Sequence, residues 1–460
     1  MSSEELPRSV IAPLSGWGLR PTETCPAYRP EDERDLRTLV EGSEEGTLIA
    51  RGLGRSYGDA ALNAEGAVVL SDRLDHLLDF DEATGVLRCQ AAVSLADLIE
   101  IFLPRGWFFP VTPGTKNVSV GGAIASDVHG KNHHSSGSMA AAVNRFRLMT
   151  ARGAIVECSR DTNAEIFWAT LGGMGLTGII LDAEIRLMPL ETGFMHAEYE
   201  QIPNLESLIE KMNEADQRFA YTVAWVDSMA TGASLGKSVL MRANHLSLAD
   251  LPAKYRDNPH PPLNASKLGV PFMFPSFTIN RLTMKAFNWA FYTRHYTREE
   301  TAHCNSFFYP LDSIQNWNRG YGTRGVLQYQ CVIPEEHAVV GNRRILEELN
   351  RSGIGSFLTV LKTLGAASEG HLSFPTPGKT LAIDLPFTGP EVTEALHRCD
   401  EIVLEHGGRV YLAKDACMRR ESFEAMYPRL EEWKAIKAEI DPDTRFSSSQ
   451  ARRLGLVEGV

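Results

Sequence analysis

Val111-Thr112-Pro113-Gly114-Thr115-Lys116-Asn117-Val118-Ser119-Val120-Gly121-Gly122-Ala123-Ile124-Ala125-Ser126-Asp127-Val128-His129-Gly130-Lys131-Asn132-His133-His134-Ser135-Ser136-Gly137-Ser138 is the stretch around which the chain is organised. Its glycines let the backbone turn sharply or approach a ligand with no Cβ in the way. Between them stand hydroxyls, two amides, a carboxylate, three imidazoles and the cations Lys116 and Lys131, a dense set of donors and acceptors. The small apolar run Ala123-Ile124-Ala125 ties this polar loop to a core. A polar loop held on a rigid scaffold is where binding and catalysis concentrate.

Outward from this loop, the chain reads as alternating strands and helices up to about residue 190. Thr47-Leu48-Ile49-Ala50 is a short buried strand that feeds a second glycine loop, Arg51-Gly52-Leu53-Gly54-Arg55-Ser56-Tyr57-Gly58-Asp59. Ala67 to Leu70, Val86 to Ala92, Arg145–Thr150, Gly153–Cys158 and Ile179–Arg186 are strand candidates. Helices are expected from Glu31 to about Glu41, over Leu95–Phe102 and over Glu165–Leu171. Residues 1–30 are proline-rich and read as an extended leading segment. This is one α+β or α/β domain. From about 191 the texture changes to separate strands with helices at 204–215, 335–351 and 389–406, the pattern of a sheet with helices on one face. The tail Gly408–Asp415 reads as one more strand, followed by a helix through Trp433 to Ile440.

Length and composition narrow the function. At 460 residues the chain exceeds what one core can organise, so two domains are expected. A net charge of −12 argues against a nucleic-acid partner, which requires phosphates to be neutralised by Lys and Arg. The seven cysteines are scattered, with no CxxC pair, which fits a reducing compartment and no zinc site. His129, His133 and His134 lack the Cys or acid ligands that would complete a metal shell, so no metal is expected. The first residues carry acid where a signal peptide needs base. The expected location is cytoplasmic or peripheral at the inner membrane, with the periplasmic face left open. Residues 269–292, rich in Phe and Met, admit two readings: a core helix entered through a Pro turn, or a lid or membrane-surface segment.

The loop 51–59 is not a dinucleotide fingerprint. Its glycines are spaced GxGxxxG, and no long helix pattern follows at once. A nest of backbone N–H groups flanked by Arg51 and Arg55 still suits a diphosphate. Taken with Pro113-Gly114-Thr115, Ser119-Val120-Gly121-Gly122 and Gly172-Gly173-Met174-Gly175-Leu176-Thr177-Gly178, this loop resembles the FAD-binding PCMH-type domain of the vanillyl-alcohol-oxidase family. Within that family, Val128-His129-Gly130-Lys131, Phe167-Trp168-Ala169-Thr170, Leu327-Gln328-Tyr329-Gln330, Ala413-Lys414-Asp415, Met426-Tyr427-Pro428-Arg429 and Ala451-Arg452-Arg453-Leu454 are similar to the flavoprotein subunits of decaprenylphosphoryl-β-D-ribose 2-epimerase.

The resemblance implies an α+β protein with an FAD-binding PCMH-type domain over 1–190. A substrate domain with an antiparallel sheet and helices would cover 191–405, and 406–460 would return to the FAD domain. Arg51, Gly52, Leu53, Gly54, Arg55, Ser56, Tyr57, Gly58, Asp59, Ala60, Ala61, Gly114, Ser119, Val120, Gly121, Gly122, Ser126, Asp127, Val128, His129, Ile180 and Tyr411 would line the cofactor. Lys414, His129, Tyr57, Gln328, Gln330 and Lys131 would face the flavin ring or the sugar phosphate. Gln328 and Gln330 share one face of a strand by period-2 alternation, which independently suits a pocket wall. Arg55 stands where many of the wider family carry a flavin-linking His, so FAD is expected to be non-covalent. Ala382 stands where close relatives carry Cys.

The implied reaction is FAD-dependent oxidation of the 2-hydroxyl of polyprenyl(decaprenyl)-phosphoryl-β-D-ribose to the 2-keto sugar. That is the first half of an epimerisation to the arabinose form for cell-envelope arabinan synthesis. The implied partners are the polyprenyl-phosphate sugar, an NAD(P)H-dependent short-chain keto-reductase and a peripheral membrane contact. On the residues alone, the proton acceptor stays open between His129, Tyr57 and a deprotonated Lys. Two rival functions are an aldonolactone or alditol oxidase using oxygen, and a flavin-binding subunit without turnover.

Overall fold

In the computed structural model, which describes residues 8–42, 46–263 and 268–457, strand pairing sorts the chain into three main sheets. The first runs Val10–Ser15, Thr22–Tyr28, Ala67–Leu70, Leu48–Arg51. The proline-rich leading segment is therefore not merely extended: its two halves pair antiparallel, Val10 opposite Ala27 through Ser15 opposite Thr22. The prolines do not prevent this: Pro13 lies on the edge strand, and Pro26 precedes the two residues, Ala27 and Tyr28, at which its strand also pairs with Ala67–Leu70. The second sheet is an antiparallel set in the order Leu77–Asp81, Val86–Gln90, Ile179–Arg186, Val143–Met149, Ile155–Ser159. Its inner face carries Leu87, Cys89, Phe146, Leu148, Ala183 and Ile185, all buried against the helix Leu95–Phe102 and the short helix Val120–Ala125. Ser94 begins the first of these helices with a reciprocal cap on Asp97.

The third sheet has eight antiparallel strands, Arg298–His303, Phe194–Ile202, Ser238–His245, Tyr221–Val226, Thr359–Leu364, Gly378–Pro386, Val326–Ile333 and Arg409–Val410. Helices Leu205–Ala215, Ala338–Arg351 and Pro390–Glu405 cover one face through Leu361, Leu381, Ile383, Leu385 and Cys331. Period-2 alternation then sends Gln328, Gln330, Lys362, Thr380, Ala382 and Asp384 to the opposite face. Their register is direct: Gln328 lies opposite Asp384, Gln330 opposite Ala382, and Lys362 opposite Thr380.

The tail departs from the expected strand. Only Arg409–Val410 pairs; the chain then turns, with the Lys414 and Asp415 N–H groups both donating to the Tyr411 carbonyl. The expected single helix is two, Arg420–Met426 and Leu430–Ile440, and the chain returns to the first sheet through a bridge between Phe446 and Leu48.

One buried acid sits on the helical side. Asp400 on helix Pro390–Glu405 accepts the Tyr329 hydroxyl at 2.9 Å. Burial, reinforced by nearby Asp415, pushes its carboxyl up to about 8. An acid raised in the folded state contributes stability that is complete below the unfolded value, about 3.9, and is lost as pH rises through the folded one. Asp400→Asn, which keeps an acceptor for Tyr329, is therefore expected to leave the melting temperature unchanged at acid pH. Near pH 8 it should stabilise by about 1–3 kcal/mol. Thermal melts across that range are the check; a uniform destabilisation would contradict the assignment.

Candidate active site

The two glycine loops meet edge to edge. A Cβ on Gly52 would lie 2.2 Å from the Ser119 Oγ, and one on Gly121 2.9 Å from the Ala91 Cβ. The backbone N–H groups of Leu53, Gly54, Arg55 and Ser56 donate to no partner among the described residues, which leaves a run of donors for an anion. Arg55 Nε is buried without a hydrogen-bond partner, while its guanidinium stacks 4.1 Å over Trp17. Space is open at Gly114, where an added Cβ would meet nothing within 4 Å. These features fit a dinucleotide diphosphate laid across closely packed backbone.

Other expected cofactor contacts are engaged inside the protein. Arg51 braces the loop by donating to the Ser15 carbonyl at 2.6 Å and the Ala61 carbonyl at 3.4 Å. The Val120 and Gly121 N–H groups go to the Val93 and Ala91 carbonyls, and Ser119 accepts from Gly122. Asp127, at a positive φ of 40°, accepts from the Ala140 N–H and from Ser368 and Ser373. Asp59 is held by Arg453. Ala60 and Ile180 are buried in apolar surroundings, and Val128 packs at the edge of the second-sheet core. Tyr411 donates to the Ser126 carbonyl at 2.8 Å and stacks on Phe374.

Beside these loops, the open face of the eight-stranded sheet supplies a charged cluster. The Tyr57 hydroxyl donates to Asp384 at 3.4 Å, Gln328 donates to the other oxygen of the same carboxylate, and the Lys414 ammonium lies 4.5 Å over the Tyr57 ring. Burial lowers the Lys414 ammonium, an effect Asp384 partly reverses, and burial raises Asp384 in turn. Gln330 Nε2 lies 2.9 Å from His129 Nε2 and donates to Thr380 at 3.1 Å. Burial, with the Lys362 and Lys414 ammonium groups and the His133 ring nearby, pushes His129 well below its usual range; its Nδ1 is buried with no partner. Lys131 donates to the Phe308 carbonyl at 2.6 Å, and burial assisted by Lys362 brings its ammonium down to about 7. Burial and the neighbouring Asp384 raise Tyr57 well above 10, so its phenol stays protonated and acts as a donor.

Tyr57, Gln328 and Lys414 gather around Asp384, Gln330 and His129 pair beside them, and Lys131 is linked to this cluster through the charge of Lys362. Two of these were not read from the sequence as site residues. Lys362, brought down to about 8 by burial and by Lys414, is the cation common to the shifts of His129, Lys131 and His133. Asp384, two residues before Pro386 near the end of its strand, is fully enclosed. The imidazoles next to His129 pack the loop against the sheet. His133 Nδ1 accepts the Gly365 N–H and His134 Nε2 contacts the Phe219 carbonyl.

Comparison with known proteins places this geometry. The FAD binding domain family matches residues 27–159, which contain both glycine loops, and the D-arabinono-1,4-lactone oxidase family matches residues 384–454. A protein of Mycolicibacterium smegmatis named decaprenylphosphoryl-beta-D-ribose oxidase is 38% identical over 463 residues, covering 99% of this chain and 100% of that protein. The chain belongs to the decaprenylphosphoryl-β-D-ribose oxidase family. As a member it is an FAD-dependent oxidoreductase of α+β fold. An uncharacterized Streptomyces coelicolor protein from the mprA 5′ region is 36% identical over 79% of this chain and its own whole length. The likeness to L-gulonolactone oxidase of Bos taurus, 29% identical, covers only 39% of this chain and 41% of that protein. In this member of the oxidase family, the second match begins at Asp384 and includes Tyr411 and Lys414, so both matched regions border the charged cluster.

Proposed function

We propose that the chain oxidises the 2-hydroxyl of a polyprenyl(decaprenyl)-phosphoryl-β-D-ribose to the 2-keto sugar, with FAD held non-covalently. The observation that carries this reading is the end-to-end match to the M. smegmatis oxidase. The proposed division of labour puts FAD on residues 1–190, the sugar on 191–405, and the closing segment on 406–460. FAD, when bound, supplies the hydride acceptor, and the protein supplies position and charge. Lys131 takes the hydroxyl proton, since its amine is brought lowest of the three buried lysines of the cluster. Lys414 and Lys362 provide positive charge for the sugar phosphate and for negative charge that develops during reaction. Gln328 and Gln330 hold Asp384 and His129 in place from one strand face. A short-chain NAD(P)H-dependent reductase completes the epimerisation, and the enzyme works at the surface of the inner membrane.

A second reading has its own observation: the D-arabinono-1,4-lactone oxidase match over residues 384–454 favours an oxygen-using aldonolactone oxidase. Anaerobic flavin absorbance separates the two. Bleaching by polyprenyl-phosphoryl ribose, with none from a free aldonolactone or xylitol, is the expected result. Bleaching by the free lactone, followed by rapid recolouring in air, would replace the first reading with the second.

A further inference from the structure

The helix Arg281–Arg294 is built inside out. Its inward face is anchored by an amide: buried Asn288 donates to Asp227 at 2.7 Å and to the Ser356 carbonyl at 3.1 Å, with Met284 beside it. Its outward line, Leu282, Ala286, Trp289 and Thr293, follows the i, i+4, i+7, i+11 spacing of a single stripe, and Leu282 and Trp289 are 77% and 67% exposed. A helix on the surface of a soluble domain ordinarily turns its apolar stripe inward. Phe277, 78% exposed just ahead of the helix, together with exposed Phe272 and Phe287, extends the apolar surface. Such a patch marks an interaction site.

Charge selects the partner. In a chain of net charge −12, no Asp or Glu occurs between Asp257 and Glu299, while Arg281, Lys285 and Arg294 fall in that interval. Among the described residues these three form no ion pair, and all three are exposed. An apolar stripe flanked by unpaired cations matches an anionic bilayer surface, where apolar burial and lipid charge act together. No helix of the described residues is long and apolar enough to cross a membrane, so the element would lie in the interface. A relay of ring contacts links it to the charged cluster. Phe287 packs on Phe357, Phe357 stacks on Tyr321, and Tyr321 shares a core with Tyr57.

We infer that residues 268–296 dock the enzyme on anionic phospholipid and set the mouth of the site against the bilayer. The inference rests on the proposed reading for its purpose, delivery of a lipid-linked sugar, but the binding itself involves no sugar. The test is sedimentation of the full chain with vesicles of phosphatidylglycerol and phosphatidylcholine, against pure phosphatidylcholine. Binding to the anionic vesicles is expected, weakened by salt. It should fall about tenfold or more in Leu282→Ala/Trp289→Ala, and Arg281→Gln/Lys285→Gln should abolish the preference for the anionic lipid. Both variants should keep wild-type flavin bleaching by a short-chain, water-soluble phosphoryl ribose. Unchanged vesicle binding in both variants would overturn the inference. So would a concentration-dependent dimer lost in Leu282→Ala/Trp289→Ala without vesicle binding, which would make the patch a contact between copies. Vesicle binding with no bleaching by any ribose lipid would instead leave docking in place and remove the proposed substrate.

Discussion

Arg453→Ala is expected to destabilise the protein by about 3–5 kcal/mol and to release FAD. The guanidinium donates to both oxygens of Asp59, at 2.9 and 2.7 Å, to Asp415 at 2.9 Å and to the Met418 carbonyl at 2.7 Å. It therefore joins the end of the first glycine loop to the turn that carries Lys414. The two segments already touch: a Cβ on Gly58 would sit 2.0 Å from the Asp415 carbonyl. Both carboxylates are buried, and burial followed by the opposing Arg453 contacts sets Asp59 above its usual range even with the arginine in place. Without the cation, two enclosed carboxylates face each other, and the loops can separate only by breaking the FAD cradle. Because Asp59 is raised in the folded state, the variant's deficit should be smallest at acid pH, below the unfolded value of about 3.9, and should grow as pH rises. Arg453→Lys keeps the charge but loses the fork and should recover only part of the loss. Denaturation followed by circular dichroism, with flavin fluorescence reporting release, is the measurement. An Arg453→Ala protein with wild-type stability and FAD content at neutral pH would show that the clamp does not hold the site together.

The glycine loops were legible because backbone freedom and donor density are local properties of a sequence. Gln328 and Gln330 were legible because alternation places them together whatever covers the strand. The same alternation was available in Thr380-Leu381-Ala382-Ile383-Asp384-Leu385, where small and polar residues share one face and large apolar ones the other. It was masked by the proximity of Asp384 to Pro386. Lys362 gave no such signal: a lysine on a strand face reads as solvated until the partner across that face is known, and that partner is the loop 127–133, more than 200 positions away in sequence. Arg453 was quoted within a motif, but its role depends on Asp59 and Asp415, which only the folded chain brings side by side. In helix Arg281–Arg294 apolar residues lie on both faces, so periodicity alone could not say which face turns outward.

The rate of anaerobic flavin bleaching is expected to rise with pH around a midpoint of about 7, the value to which burial and Lys362 bring Lys131. The neutral amine can keep its hydrogen bond to the Phe308 carbonyl and still offer a lone pair to the substrate hydroxyl. His129 contributes no step in this range, because burial and the surrounding cations hold it well below its usual value, and Tyr57 titrates far above it; Asp384, which burial raises toward the same window, is told apart from Lys131 by the Lys131→Met profile. At higher pH the rate should fall again as Lys362 loses its proton near 8 and the positive field of the site weakens. Lys131→Met should slow bleaching by about 10²–10⁴-fold and remove the rising limb. Lys362→Met provides the sharper check on the coupling. Removing a like charge that holds Lys131 down must let its pKa climb toward the ordinary lysine value, so the rising limb should move to higher pH, while the falling limb, to which Lys414 also contributes, should shrink. A rising limb that persists in Lys131→Met would assign the proton to another group. A limb that stays in place in Lys362→Met would mean that burial alone, without the second lysine, tunes the base.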